Sequence, residues 1–316
     1  MRDLVDVNVN LVPNQAPRQL PALEMPDTSP GYRSVFAPGL FAGQTVWVTG
    51  GGSGIGRCVA HELASLGAQV VISGRSIDKV QRVQAEIVED GGRCIHRAFD
   101  IRDEEAVKVA VASVIDEIGP IHGLVNNAGG QFPAPMATIS KKGFDAVVAN
   151  NLTGGFLMMR EVFSQSMAKH GGAIVNMTAD FRNGMPGMAH SGAARAGMSN
   201  LTMTAAYEWA ASGVRVNAVA PGWVASSGMD TYGGAMRATI PLLKAHVPMQ
   251  RLGTEAEVSA AIVFLLSPGA AFITGVTVQI DGASSLGNAA VWPLQPHDKS
   301  KPFDGFHRAV TPDVLK

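Results

Sequence analysis

The sequence predicts a single doubly wound α/β domain: a seven-stranded parallel sheet with helices on both faces. Three observations carry this. Seven short runs rich in Val and Ile recur along the chain, and helical stretches separate nearly all of them. Strands buried on both faces read as continuous apolar runs, and helical connections imply parallel pairing. With 316 residues, 46% hydrophobic and 16% charged, the chain is long and apolar enough for one large core.

The first run, TVWVTG (45–50), reads as a buried strand, and a helix follows from about Ile55. AQVVIS (68–73) is the second strand, and a charged helix then runs through Glu89. RCIHRAF (93–99) and IHGLVNN (121–127) come next, separated by the helix DEEAVKVAVASVIDEIG. GAIVNM (172–177), VRVNAVA (214–220) and GVTVQI (275–280) complete the set. The segment HSGAARAG (190–197) is alanine-rich and helical, so Ser191 and Arg195, four residues apart, share one face. Residues 1–40 form an N-terminal arm and 284–316 a C-terminal extension, both proline-containing and without periodicity. Each is expected to order only against the 41–283 domain or a neighbouring subunit.

The formal net charge of −1 offers no general reason to bind nucleic acid or an anionic membrane. No apolar run reaches the length of a membrane span, the N-terminus lacks a signal-peptide core, and the chain ends in TPDVLK. A cytoplasmic protein is expected. Cys58 and Cys94 stand outside any paired spacing and read as reduced packing residues; the eight histidines show no metal-ligand spacing. No metal is expected.

The first strand runs directly into TGGGSGIG (49–56), which opens the first helix. Glycines there allow a tight turn and let backbone N–H groups approach a pyrophosphate at the helix N-terminus. Gly50, Gly52, Ser53, Gly54, Ile55 and Gly56 are therefore assigned to a dinucleotide. Eighteen residues after Gly56, where a carboxylate would hold a ribose 2′-hydroxyl, stands Gly74, and Arg75 follows. A guanidinium suits a 2′-phosphate, so NADP(H) is the expected cofactor.

TGGGSGIG, NNAGG (126–130), NNLTGG (150–155) and VNAVAPGW (216–223) occur in that order, and together the chain resembles the short-chain dehydrogenase/reductase family over about residues 42–283. The resemblance implies a Rossmann-type sheet and a homotetramer. It places Asp100 at the adenine, Asn126 and Gly129 near the ribose side, and Pro221 and Gly222 beside the nicotinamide, with Ile101, Ala128 and Arg195 also in the cofactor site, the last on the cofactor ribose. Asn151 matches the family's active-site Asn, which bends its helix and holds a proton-relay water.

Most members of that family reduce carbonyls with a Ser, a Tyr thirteen residues on, and a Lys four further. Here those positions are Thr178, Ser191 and Arg195. A serine hydroxyl is shorter and far less acidic than a phenol, and Arg stays protonated, so neither replaces the usual proton donor. Reducing a C=C bond conjugated to a thioester makes a different demand. Charge collects on the thioester oxygen as an enolate, which hydrogen bonds stabilise. FAPGL (36–40), NNAGGQF (126–132) and HSGAARAG resemble the peroxisomal trans-2-enoyl-CoA reductases and their bacterial relatives. The 2,4-dienoyl-CoA reductases also carry Ser at that position, but their donor Tyr is matched here by Asp180. Bacterial chains of similar appearance are assigned to citronellol or citronellal oxidation, which is the alternative; a non-catalytic cofactor-binding subunit is a third reading.

The small-molecule substrate is thus an acyl thioester or an apolar carbonyl or alcohol. Thr178 and Ser191 are the candidate donors to its oxygen, with Asn151 and Arg195 beside them. Asp180, His190 and Tyr232 are candidates for the missing acid. Gln131 and Phe132 are candidates for the substrate wall, and methionines 185, 188, 198, 203, 229, 236 and 249 suit an adaptable apolar channel.

Overall fold

The computed structural model describes residues 31–288 and 291–316; most of the N-terminal arm lies outside the described residues. Seven strands form one sheet: β1 (Thr45–Thr49), β2 (Gln69–Gly74), β3 (Arg93–Ala98), β4 (Gly123–Asn126), β5 (Gly172–Met177), β6 (Val214–Pro221) and β7 (Thr277–Ile280). Every pairing is parallel, and the order is β3-β2-β1-β4-β5-β6-β7. The order reverses between β1 and β4, which opens a crevice at their carboxyl ends. The last strand is shorter than the GVTVQI run because Gly275 takes a left-handed φ of +78° and breaks the extended path.

The helices are α1 (Gly54–Ser65), α2 (Ile77–Glu89), α3 (Glu104–Ile118), α4 (Lys141–Val148), α5 (Gly154–Val162), α6 (Ala168–His170), α7 (Ala189–Glu208), α8 (Gly234–Thr239) and α9 (Glu255–Leu266). Strand alternation divides the core between two faces. Val46, Val48, Val70 and Ile72 face α1, α2 and α9, whereas Trp47 and Val71 face α3, α5 and α7. Both expected layers are present.

Helices start where side chains cap free N–H groups. Asp103 accepts from the Ala106 N–H at 3.0 Å at the head of α3, and Thr254 and Glu257 form a reciprocal capping box on α9. The segment from α4 to α6 is one long helix interrupted by two π turns, Ala149–Thr153 and Phe163–Met167. The first of these contains Asn151, which is buried.

The C-terminal extension lies on the body. Phe306 is 2% exposed and joins Tyr32, Cys58 and Ala256 in a small apolar cluster. Arg308 grips Asp90 with bonds of 2.6 to 3.2 Å, and His307 Nε2 lies 2.9 Å from the same carboxylate. Under that contact, Glu62 is buried and accepts from Tyr32 Oη (3.1 Å), Ser34 Oγ (2.7 Å) and Ser259 Oγ (2.5 Å). Cys58 and Cys94 are free and buried, and burial pushes the Cys94 thiol up to about 12. No helix among the described residues is long and apolar enough to cross a membrane.

Candidate active site

A cleft of about 220 Å³ lies over the carboxyl ends of β1 to β4, lined by Gly50, Gly52, Ser53, Arg75, Asp100, Ile101, Ala128 and Gly129. All eight were assigned to the cofactor from sequence. The glycines are required sterically. Gly50 has φ +66°, and a Cβ there would stand 2.9 Å from the Ala128 Cα. A Cβ on Gly51 would meet Ile72 at 2.7 Å, and one on Gly56 would meet the Gly50 carbonyl at 2.5 Å. The turn can therefore pass this close to β2 and β4 only without side chains, leaving backbone N–H groups and the α1 N-terminus facing the cleft. Gly54 and Ile55 begin that helix. This cradle fits a dinucleotide pyrophosphate.

Two cations stand at the β2 end. Arg75 was read from sequence; Lys79, which also lines the cleft, was not. Its signal was available: four residues beyond Arg75, it lies in the first turn of α2. The Asp100 carboxyl is held below its usual range by the side chain of Arg102, which bonds both oxygens at 2.5 to 3.0 Å. That pairing offsets the negative charge near Arg75. Asn126 departs from its expected role near the ribose. It is buried, and its amide donates to the Gly155 carbonyl and to Asn176 Oδ1, both at 3.0 Å, bracketing β4 to α5 and β5.

The second half of the site forms where α7 passes under the end of β5. Ser191 and Arg195 are both buried on one side of α7, as the four-residue spacing predicts. Ser191 Oγ donates to Gln131 Oε1 at 2.5 Å, and Gln131 Nε2 donates to Tyr232 Oη at 3.0 Å. Arg195 Nη1 donates to the Met177 carbonyl at 2.6 Å, while Nε has no partner. Burial lowers this guanidinium to about 10, and the Tyr232 hydroxyl nearby opposes the shift. It remains a cation at neutral pH.

Asn151 closes the floor. Its amide donates to the carbonyls of Gly130 (2.6 Å) and Val147 (2.9 Å), and its Oδ1 accepts from the Gly130 N–H at 3.1 Å. The Val147 carbonyl lies four residues before Asn151, at the end of α4. A Cβ on Gly129 would lie 2.6 Å from Asn151 Oδ1 and 2.8 Å from Arg195 Nη2, so Gly129 lets these two groups converge.

Thr178 departs from expectation. Its hydroxyl donates to the Val219 carbonyl at 2.8 Å and is 2% exposed, so the proton is committed to the sheet. The Asp180 carboxyl is pushed up by burial and by Asp281, and its Oδ1 is buried without a partner. Its backbone N–H donates to the Pro221 carbonyl at 3.3 Å, which ties it to the Pro221–Gly222 turn. His190 is buried; its Nδ1 accepts the Ser191 N–H at 2.8 Å and its ring packs edge-on against Phe132. The methionines divide. Met198 belongs to the core, whereas Met236 lines an apolar recess with Pro133, Pro135 and Gly187 beside the site.

A cofactor cradle joined to a Ser–Arg helix at the end of a parallel sheet defines a nucleotide-dependent oxidoreductase fold. The chain belongs to the short-chain dehydrogenase/reductase family: residues 50–284 match the family model described as Enoyl-(Acyl carrier protein) reductase. It is 34% identical to the peroxisomal 2,4-dienoyl-CoA reductase of Pongo abelii, covering 84% of this chain and 92% of that one. It is 33% identical to the probable 2,4-dienoyl-CoA reductase of Bacillus subtilis, over 77% of this chain and 97% of the other. Among solved structures, it is similar to the citronellol catabolism dehydrogenase (AtuB) of Pseudomonas aeruginosa PAO1. That likeness has 62% identity and a TM-score of 0.74, covering 81% of this chain and 100% of the other.

Proposed function

We propose that this chain is an NADPH-dependent reductase of the C2=C3 double bond of a trans-2-enoyl thioester. The observation that carries the reading is the pair on α7: buried Ser191 and Arg195 stand where carbonyl reductases of this family hold a phenol and an ammonium. NADPH, when bound, supplies a hydride. The residues here supply charge and orientation. Ser191 offers its hydroxyl to the thioester oxygen in exchange for Gln131, and Arg195 places a fixed positive charge beneath the developing enolate. Asn151 holds the floor against Gly130. The apolar recess at Pro133, Pro135 and Met236 receives the acyl chain. Preference for NADPH rests on Arg75 and Lys79 together with the neutralised Asp100.

The test is NADPH oxidation with purified protein and a panel of trans-2-enoyl-CoA thioesters, straight and branched. Turnover with at least one length is expected, and none above background across the panel would overturn the reading. The second reading, oxidation of a branched terpenoid alcohol, is favoured by the 62% identity to the citronellol catabolism dehydrogenase. Citronellol oxidised with NADP+ while every thioester is ignored would establish it in place of the first. Assembly as a homotetramer is proposed from the family likeness, with exposed Tyr207 and Phe272 as apolar surface for the contact.

A further inference from the structure

We propose that Tyr232 is the proton-exchanging residue of this site, delivered by the segment after β6 in place of the phenol that α7 lacks. The proposal rests on the reductive reading above for the bond that is protonated.

Two observations support it. The Tyr232 oxygen accepts a bond from Gln131, and Gln131 in turn accepts from Ser191. Among the described residues no acceptor takes the phenolic proton, so it is free to be donated. The segment is also held down. The Asp230 carboxylate accepts the backbone N–H groups of Asp313 (3.1 Å) and Val314 (2.9 Å). Tyr232 packs on the Met229, Ile240 and Leu243 cluster, which Val314 and Leu315 cover from the other chain end. The C-terminal extension thus sets the height of Tyr232 over the site.

None of the other candidates is hydrogen-bonded to the Ser191 hydroxyl or to the Gln131 side chain. Thr178 donates to Val219, and His190 Nε2 is buried against Phe132 without a partner. Asp180 has Asp281 and Arg182 as its charged neighbours, and no hydrogen bond joins it to Ser191, Gln131 or Arg195.

The step balances as follows. NADPH, when bound, would supply the hydride to C3, and the C2=C3 electron pair would shift to make the thioester enolate. Tyr232 O–H then gives its proton to C2 as the enolate carbonyl reforms. The phenolate is reprotonated by water, so each turnover consumes one NADPH and one solvent proton.

The experiment compares the full-length protein with Tyr232→Phe in D2O, using NADPH and an enoyl-CoA that the wild type reduces. The wild type should place deuterium on one face of C2. Tyr232→Phe should lose about 10²- to 10⁴-fold in kcat, deuterate both faces, and keep its NADPH Kd in a fluorescence titration. An unchanged kcat overturns the proposal. So does a fall in kcat with deuterium still on one face, which would make Tyr232 a positioning residue. If the wild type ignores thioesters but oxidises citronellol, the reductive reading fails. The comparison then runs on that reaction, where loss of kcat in Tyr232→Phe together with loss of the pH dependence of kcat upholds the assignment, and retention of either overturns it. A wild type inert toward both overturns reading and proposal together.

Discussion

Replacing Arg75 with Ala tests the cofactor assignment most directly, because it separates two ligands that differ by one phosphate. Arg75 and Lys79 are exposed at the rim of the cleft. A charge-assisted hydrogen bond contributes about 1.5–3 kcal/mol, and solvent exposure selects the lower end, so about 1.5 kcal/mol is expected for Arg75. This corresponds to roughly a 12-fold rise in the NADPH Kd. Lys79→Ala, removing a point charge without the planar fork, should cost about 1 kcal/mol, or roughly 5-fold. Both cations would hold the same phosphate, so in either single variant the other still binds it. The double variant should therefore lose more than the sum of the singles. NADH, which lacks the 2′-phosphate, should bind all three variants within about 2-fold of wild type. The assay is titration of dihydronicotinamide fluorescence with each cofactor, repeated at high salt, where the NADPH differences should shrink. Equal losses for NADH and NADPH, or no loss for either, would refute the argument that these cations read the 2′-phosphate.

Three further outcomes follow from the same geometry. Gly129→Ala would force a Cβ within 2.6 Å of Asn151 Oδ1 and 2.8 Å of Arg195 Nη2. It should lower kcat/KM on the order of 10-fold or more while the melting temperature moves little, and full activity would show that the two groups need not converge. Asn151→Ala removes three bonds to backbone groups. At about 1 kcal/mol each, urea unfolding should report a loss of about 2–3 kcal/mol, and a loss below about 1 kcal/mol would mean that the π turn repairs itself. Glu255 is buried, and burial raises its carboxyl from 4.5 to about 7, with Arg57 pulling the other way. A raised folded pKa means that its stabilising protonation is intact below about 4.5 and is lost as pH rises through about 7. Glu255→Gln should therefore match wild type near pH 4 and exceed it at pH 8, by on the order of 3 kcal/mol. Denaturant curves at the two pH values check this, and parallel pH slopes would contradict it.

Much of the fold is legible in the chain because it depends on local periodicity. The strand runs, the glycine turn and the Ser191–Arg195 spacing each follow from contacts within about ten residues, and each has its counterpart in the structure. The cofactor cleft is legible for a related reason, since a turn without side chains is written directly as glycines. Asn126 and Thr178 show where this stops. Both are polar residues at strand ends, and whether such a residue faces a ligand or braces the sheet depends on the neighbouring strand. Asn126 is bound by Asn176 of β5, and Thr178 by Val219 of β6.

By itself the sequence determined the class of chain: a parallel doubly wound sheet with a nucleotide cradle and an α7 helix stripped of its phenol and ammonium. Only the tertiary structure decided what occupies that gap. Gln131 and Tyr232 are 101 residues apart and meet at 3.0 Å, and the segment carrying Tyr232 is held by backbone groups 83 and 84 residues beyond Asp230. No spacing rule connects such positions, because loop closure over that distance leaves no local pattern. The juxtaposition exists only once the sheet has brought the ends of β4 and β6 to the same edge and the C-terminal extension has folded back over them.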